Sequence, residues 1–269
     1  MKRTIRGAAI AAPLLLGSAA AGARAQGNYS APRNASVDAT GARLLRVEAG
    51  AGTLRVEGKA GLRQVQVTGT AHASSQSILR DIKIVAERRG DEVYIKTDIP
   101  ESNWRWLDNP SAALDLVIEV PEGIAARVTD GSGAAEVRNV GALDAVDGSG
   151  DFEVDGAESV HITDGSGSLV INNIRGDVRV RDGSGDVVAR NVAGSFTVES
   201  DGSGGIFATD IKGSVIVEHD GSGEINASRI GGDLLVRSKG SGAVSYDHVS
   251  GRVEIPDRDR RWRRYRDNG

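Results

Sequence analysis

The chain has 269 residues with a formal charge of −4, 4% aromatic residues, 36 glycines and no cysteine. The missing cysteines exclude any disulfide framework, and the scarcity of aromatic residues beside plentiful Val, Ile and Leu favours many narrow strands over a bulky globular core. An acidic body also argues against general nucleic-acid binding, because nothing would neutralise the phosphates.

Residues 1–25 read as a secretory signal. Lys2, Arg3 and Arg6 form a basic start, Gly7 to Ala20 a short apolar core, and Ala23-Arg24-Ala25 an A-x-A cleavage site before Gln26. Pro13 and Gly17 interrupt the apolar stretch, which is too short to span a membrane, and no later run is long enough. A periplasmic or secreted protein is expected. Cleavage would remove Lys2, Arg3, Arg6 and Arg24, moving the formal charge from −4 to −8.

Residues 26–36 lack periodicity and read as a linker. From Val37 to about residue 125 the chain alternates like strands, giving a less regular N-terminal β region or cap. Leu44 to Glu48, Thr53 to Glu57 and Val65 to Val67 are strand-like. Ile82 to Val85 and Val93 to Ile95 flank a hairpin turn at Arg89-Gly90-Asp91, Ser74 to Arg80 suits one helical turn, and Trp104 and Trp106 fall in a polar loop. Leu114 to Val120 is a further strand, stopped at Pro121-Glu122-Gly123.

Over residues 126–256 a Gly-Ser-Gly turn recurs seven times, led by Asp130, Asp147, Asp164, Asp182, Asp201, Asp220 and finally Lys239, at gaps of 17, 17, 18, 19, 19 and 19 residues. Such a period marks a solenoid, in which one coil cannot bury its apolar face alone. Counted from the leading residue, positions five, seven, ten, fourteen and sixteen are apolar: Leu169, Ile171, Ile174, Val178 and Val180 in one coil, Ile206, Ala208, Ile211, Val215 and Val217 in another. Position twelve is glycine, at Gly176, Gly194, Gly213, Gly232 and Gly251. The expected fold is all-β: a single-stranded parallel β-solenoid, or β-helix, with right-handed crossovers. Two β-segments per coil are joined by the Gly-Ser-Gly turn at one bend and the twelfth-position glycine at the other, glycine supplying positive φ at both.

The six aspartates form one candidate site. Stacked, they repel unless offset, either by each side chain accepting amides of its own turn or by a ladder of calcium ions. The local turn is the favoured expectation. Lys239 in the seventh place relieves repulsion without an ion. Known calcium rolls differ, placing two nonapeptide turns in each coil. Phe207 at position six, with Ile216 and Leu235 at position fifteen, are outward apolar residues and candidates for one docking face. Residues 257–269 form an arginine-rich tail in which Trp262 and Tyr265 are candidates for contact with an anionic envelope surface. His72, His161, His219 and His248 fall in different columns and the turn serines have no recurring histidine partner, so no catalytic residues are assigned.

Leu114-Asp-Leu-Val-Ile-Glu-Val-Pro121, running into Val128-Thr-Asp-Gly-Ser-Gly133, with the turns Ser149-Gly150-Asp151 and Ser184-Gly185-Asp186, resembles the bacterial envelope "putative adhesin" domain family of unknown function. The resemblance spans roughly residues 40 to 256. It implies an exported, non-enzymatic parallel β-solenoid with no catalytic residues to carry over. The expected function is that of an adhesin-like or envelope-associated interaction scaffold binding a protein or an envelope polysaccharide through its sheet faces. A calcium-binding solenoid and a carbohydrate-active β-helix enzyme are the competing readings.

Overall fold

A computed structural model describes residues 29–99 and 111–256. The signal segment, Trp104, Trp106, Trp262 and Tyr265 lie outside the described residues.

Two sheets face each other across one core, eleven strands in sheet I and thirteen in sheet II among the described residues. The chain enters through β1 (Tyr29–Asp38), β2 (Leu44–Glu48), β3 (Leu54–Lys59) and β4 (Gln64–Ala73). It continues through α1 (Gln76–Asp81), β5 (Lys83–Arg89), β6 (Glu92–Asp98) and β7 (Ala112–Pro121). Sheet I then grows by β9 (Ala135–Arg138), β11 (Phe152–Asp155), β13 (Leu169–Ile174), β15 (Val187–Val192), β17 (Ile206–Ile211), β20 (Ile225–Ile230) and β23 (Val244–Val249). Sheet II grows in step by β8 (Ala125–Asp130), β10 (Ala142–Asp147), β12 (Ser159–Asp164), β14 (Val178–Asp182) and β16 (Phe196–Asp201). It ends in the split strands β18 (Val215–Val217) with β19 (Asp220–Ser222), β21 (Leu234–Val236) with β22 (Lys239–Ser241), and then β24 (Val253–Glu254). Every pairing from β8 onward is parallel, one strand per sheet per coil.

The solenoid of the sequence is therefore present, with a flattened two-sheet cross-section. Its inward columns are those the repeat dictates. Leu169, Val187, Ile206 and Ile225 are in register and at most 1% exposed, as are Val178, Phe196, Val215 and Leu234. Burying a Val, Leu, Ile or Phe side chain contributes roughly 1.5–3 kcal/mol each, so successive columns hold successive coils together. On the terminal coil the same phase is less covered, and Tyr246 in the seventh position is 51% exposed.

Solenoid stacking begins earlier than the repeat shows. β2 lies parallel to β8 and β3 parallel to β9, so residues 44–59 form a coil, with Ala51 bridged to Ser132. Its turn, Ala49-Gly50-Ala51-Gly52, stands in register with Asp130-Gly131-Ser132-Gly133 and has alanine in the aspartate's place. β6 and β7 continue both sheets on the other side of β2 and β3. Antiparallel strands close that end, β1 and β4 on sheet I and β5 on sheet II, which protects edges that parallel stacking would leave bare. β1 corrects the linker reading: residues 29–36 form a strand paired with Gln66 to Ala73, and Arg33 donates to the carbonyls of Ile82 and Leu79 at 2.8 and 2.6 Å. Long-range pairing orders a segment whose own pattern is weak.

The expected hairpin is β5–β6, with Gly90 at φ +65°. The helical turn is α1, capped by Ser75, whose hydroxyl accepts from the Ile78 amide at 3.2 Å.

Glycine acts differently at the two bends than the sequence indicates. At the Gly-Ser-Gly bend the second glycine has positive φ, from +127° at Gly133 to +154° at Gly223. At the other bend the left-handed residue is the ninth: Asn139, Asn173, Asn191, Asp210, Arg229 and His248, at φ from +51° to +58°. The twelfth-position glycines are required by close stacking instead. A Cβ on Gly213 would stand 2.6 Å from the carbonyl oxygen of Gly194, and one on Gly251 2.7 Å from that of Gly232.

Candidate functional site

The aspartates occupy the inward phase of sheet II. Along β10, Leu143, Ala145 and Asp147 share the buried face, and the last inward residue of each coil is the turn's aspartate. Asp130, Asp147, Asp164, Asp182, Asp201 and Asp220 are 2–5% exposed and register one above another, with Lys239 next to Asp220. Eleven of their twelve carboxylate oxygens are buried without a hydrogen-bond partner. The expected local offset, a carboxylate held by amides of its own turn, is only partly built: the Gly131 and Gly165 amides act on Asp130 and Asp164 from within the turn, yet no oxygen among these eleven has a completed hydrogen bond. The glycine amides are committed between coils: Gly148 donates to the Asp130 carbonyl at 3.1 Å and Gly150 to the Ser166 carbonyl at 2.9 Å. The Ser166 and Ser203 amides draw the Asp164 and Asp201 carboxyls part of the way toward ionisation without closing a bond.

Burial is the first cause acting on every member. It pushes Asp130 and Asp201 up to about 6, and burial with the neighbouring carboxylates pushes Asp182 to about 7 and Asp147 to about 8. Asp164 and Asp220 are raised too, the latter held back by Lys239. Calcium takes six to eight oxygens. Each gap in a single-file column offers two carboxylates, and among the described residues no group of three His, Cys, Asp or Glu is placed to hold a metal.

The outer face of sheet II carries two open depressions. β14 has one residue between Val180 and Asp182, whereas β16 has two between Val198 and Asp201. Arg181 pairs with Ser200, leaving Glu199 as a bulge. This is where the period lengthens from 18 to 19 residues, and beyond it the sheet II strands split. Beside the bulge runs an open furrow of about 690 Å³, lined by Arg179, Arg181, Thr197, Glu199, Ser200, Ile216, Glu218 and His219. A second depression of about 400 Å³ includes Arg127, Asp144, His161 and again Arg179. Arg127, Asp144, His161, Arg179, Thr197 and Ile216 are one in-register outward column. Arg181 meets Glu199 at 2.5 Å and Arg127 meets Asp144 at 3.2 Å. Exposed pairs of this kind contribute ~0–1 kcal/mol each and are easily exchanged for pairing with a ligand.

The docking face expected from Phe207, Ile216 and Leu235 does not form. Phe207 lies on β17 of sheet I, whereas Ile216 and Leu235 are paired on β18 and β21 of sheet II, so the outward phases point away from each other. Leu235 is only 9% exposed between Ile216 and Glu254, and Ile216 lines the furrow. Phe207 folds back over Gly205, where an added Cβ would stand 2.6 Å from the ring Cζ. The histidines stay apart: His72 faces Asp115, His161 faces Asp144, His248 faces Asp247, and His219 sits in the furrow. The furrow itself was hidden from sequence reading. Its only trace is the change of period at Glu199.

No family model matches the chain, and no curated protein matches it. The chain is similar to solved structures described as a "putative adhesin" from Bacteroides fragilis (10% identity, 82% of this chain and 98% of that one, TM-score 0.46) and a "putative adhesin" from Parabacteroides distasonis (16% identity, 83% and 96%, TM-score 0.40). A "putative lipid binding protein" from Parabacteroides distasonis is similar at 14% identity, 83% and 97% coverage and TM-score 0.42.

Proposed function

We propose that this chain is an exported, non-enzymatic, adhesin-like interaction protein of the bacterial envelope that takes an extended polar chain, an envelope polysaccharide, along the outer face of sheet II. The observation that carries the reading is the furrow lined by Arg179 and Arg181. Arginine forks, carboxylates and the hydroxyls of Thr197 and Ser200 line an open channel on a rigid sheet, with Ile216 as its apolar strip. Hydroxyl-rich ligands are held by such groups, and the channel crosses three successive coils, which present Arg179, then Thr197, then Ile216 at steps of ~4.8 Å. Buried columns fix the backbone beneath, so little ordering is needed on binding. The signal-like residues 1–25 and the absence, among the described residues, of any helix long and apolar enough to cross a membrane are compatible with export.

The test is binding of purified envelope polysaccharides to residues 26–269, beside the Arg179→Ala/Arg181→Ala double variant. Affinity falling at least tenfold in the variant, with unfolding unchanged, supports the reading. Equal binding by both proteins, or no binding by either, overturns it.

A further inference from the structure

We propose that the buried aspartate column is a proton ladder: its carboxyl groups share protons from coil to coil, so that stacking of the solenoid is coupled to proton binding. Geometry carries this. Six carboxyl groups register along the axis at one per coil, are 2–5% exposed, and have eleven of twelve oxygens without a donor. Ionised carboxylates stripped of water and unpaired are among the costliest groups to bury, and neighbours of like charge at strand spacing make it worse. A proton on alternate members resolves both problems. A neutral carboxyl donates its O–H to the carboxylate of the next coil, a charge-assisted bond, and halves the charge.

The surroundings supply little else. The charges bearing on the column are Lys239 at its C-terminal end and Asp186 beside Asp201. At the other end Ala49 takes the next register place after the Glu48–Thr129 pair, so the ladder stops where alanine stands in the aspartate's place. The adjoining inward columns, such as Leu169, Val187, Ile206 and Ile225, are apolar.

The sign follows from the raised carboxyls, about 6 to about 8 where values are given, against ~4 in an unfolded chain. Between those limits the folded form holds more protons than the unfolded form. Stability from the ladder is therefore fully present below about pH 4 and is lost as pH rises through about 6 to 8. This is the reverse of ordinary acid denaturation, in which paired carboxylates are depressed.

The experiment compares thermal unfolding of the purified protein at pH 5 and pH 8.5 with that of Asp147→Asn and Asp147→Asn/Asp182→Asn. Asparagine keeps the shape and is neutral at both values. The wild type is expected to melt lower at pH 8.5 by ~5–10 °C, and the double variant to lose at least half of that difference. Carboxyl carbon NMR titration of the wild type gives a second readout that needs no variant: at least three aspartates titrating above pH 5.5. Six aspartates titrating near 4, or variants with the wild-type pH slope, overturn the ladder. A rise in melting temperature at pH 8.5 on adding calcium, reversed by chelator and absent in the double variant, also overturns it, since cations rather than protons would then neutralise the column.

Discussion

Lys239 stands opposite Asp220 in the parallel pairing of β19 with β22, in the place of a seventh carboxylate, and its ammonium donates to the Gly242 carbonyl at 2.7 Å. It is the cation that holds Asp220 nearer to ionisation than burial alone allows. Removing it in Lys239→Met lets the Asp220 pKa rise further. The added stability cost appears as pH rises through that pKa. The expected result is a melting temperature close to wild type at pH 5 and lower by ~2–5 °C at pH 8.5, read by calorimetry at both values. Lys239→Asp extends the column and is expected to be lower still at pH 8.5.

The second bend carries a different prediction. Arg229 and His248 hold φ of +55° and +51° at the corner where earlier coils place Asn139, Asn173 and Asn191. Asparagine tolerates this region, and its side chains form a short ladder there, Asn191 donating to Asn173 at 2.7 Å and Asn173 to Asp155 at 2.6 Å. His248→Asn is therefore expected to stabilise the protein by ~0.5–1 kcal/mol in urea unfolding. Arg229→Asn gains less, because Arg229 also holds Asp210 at 2.6 Å.

How much of this was legible follows from which residues repeat. Positions five, seven, ten, fourteen and sixteen face inward because period-two alternation within each coil determines it. The ninth-position corner was obscured because Asp210, Arg229 and His248 replaced asparagine. The aspartate's inward aim was legible in principle: it lies an even number of residues beyond Ala145 in β10, in the buried phase. A charged residue on that phase reads as the start of a turn, whereas in the fold it is buried with the apolar residues of its strand. The coil at residues 44–59 was missed because Ala49-Gly50-Ala51-Gly52 lacks the marker and 81 residues separate it from Asp130 in sequence. The furrow was not legible, because it arises from a register slip at Glu199 rather than from any motif.

Core columns are expected to show graded costs along the axis. Phe196 is fully buried between Val178 and Val215, so Phe196→Ala leaves a cavity walled by two coils and costs ~3–5 kcal/mol. Val253 is in the same column but half-buried on the last coil, so Val253→Ala is expected to cost under ~1 kcal/mol. Urea unfolding midpoints of the two variants measure the contrast. Equal losses would mean that the terminal coil is as well covered as the middle.

Gly204 and Gly205 are adjacent, and their alanine variants are expected to separate the two reasons for glycine. Gly204 has φ +139°, and a Cβ there would run into the backbone of Gly185. Neither fault can be relieved without moving a coil, so Gly204→Ala is expected to cost more than ~3 kcal/mol. The obstacle at Gly205 is the Phe207 ring, the mobile end of a side chain. Rotation of that ring about χ1 makes room, so Gly205→Ala is expected to stay within ~1 kcal/mol of wild type while exposing Phe207. Melting curves of the two variants test the difference in stability. If Gly205→Ala proves as damaging as Gly204→Ala, the ring is held by more than the space that Gly205 leaves.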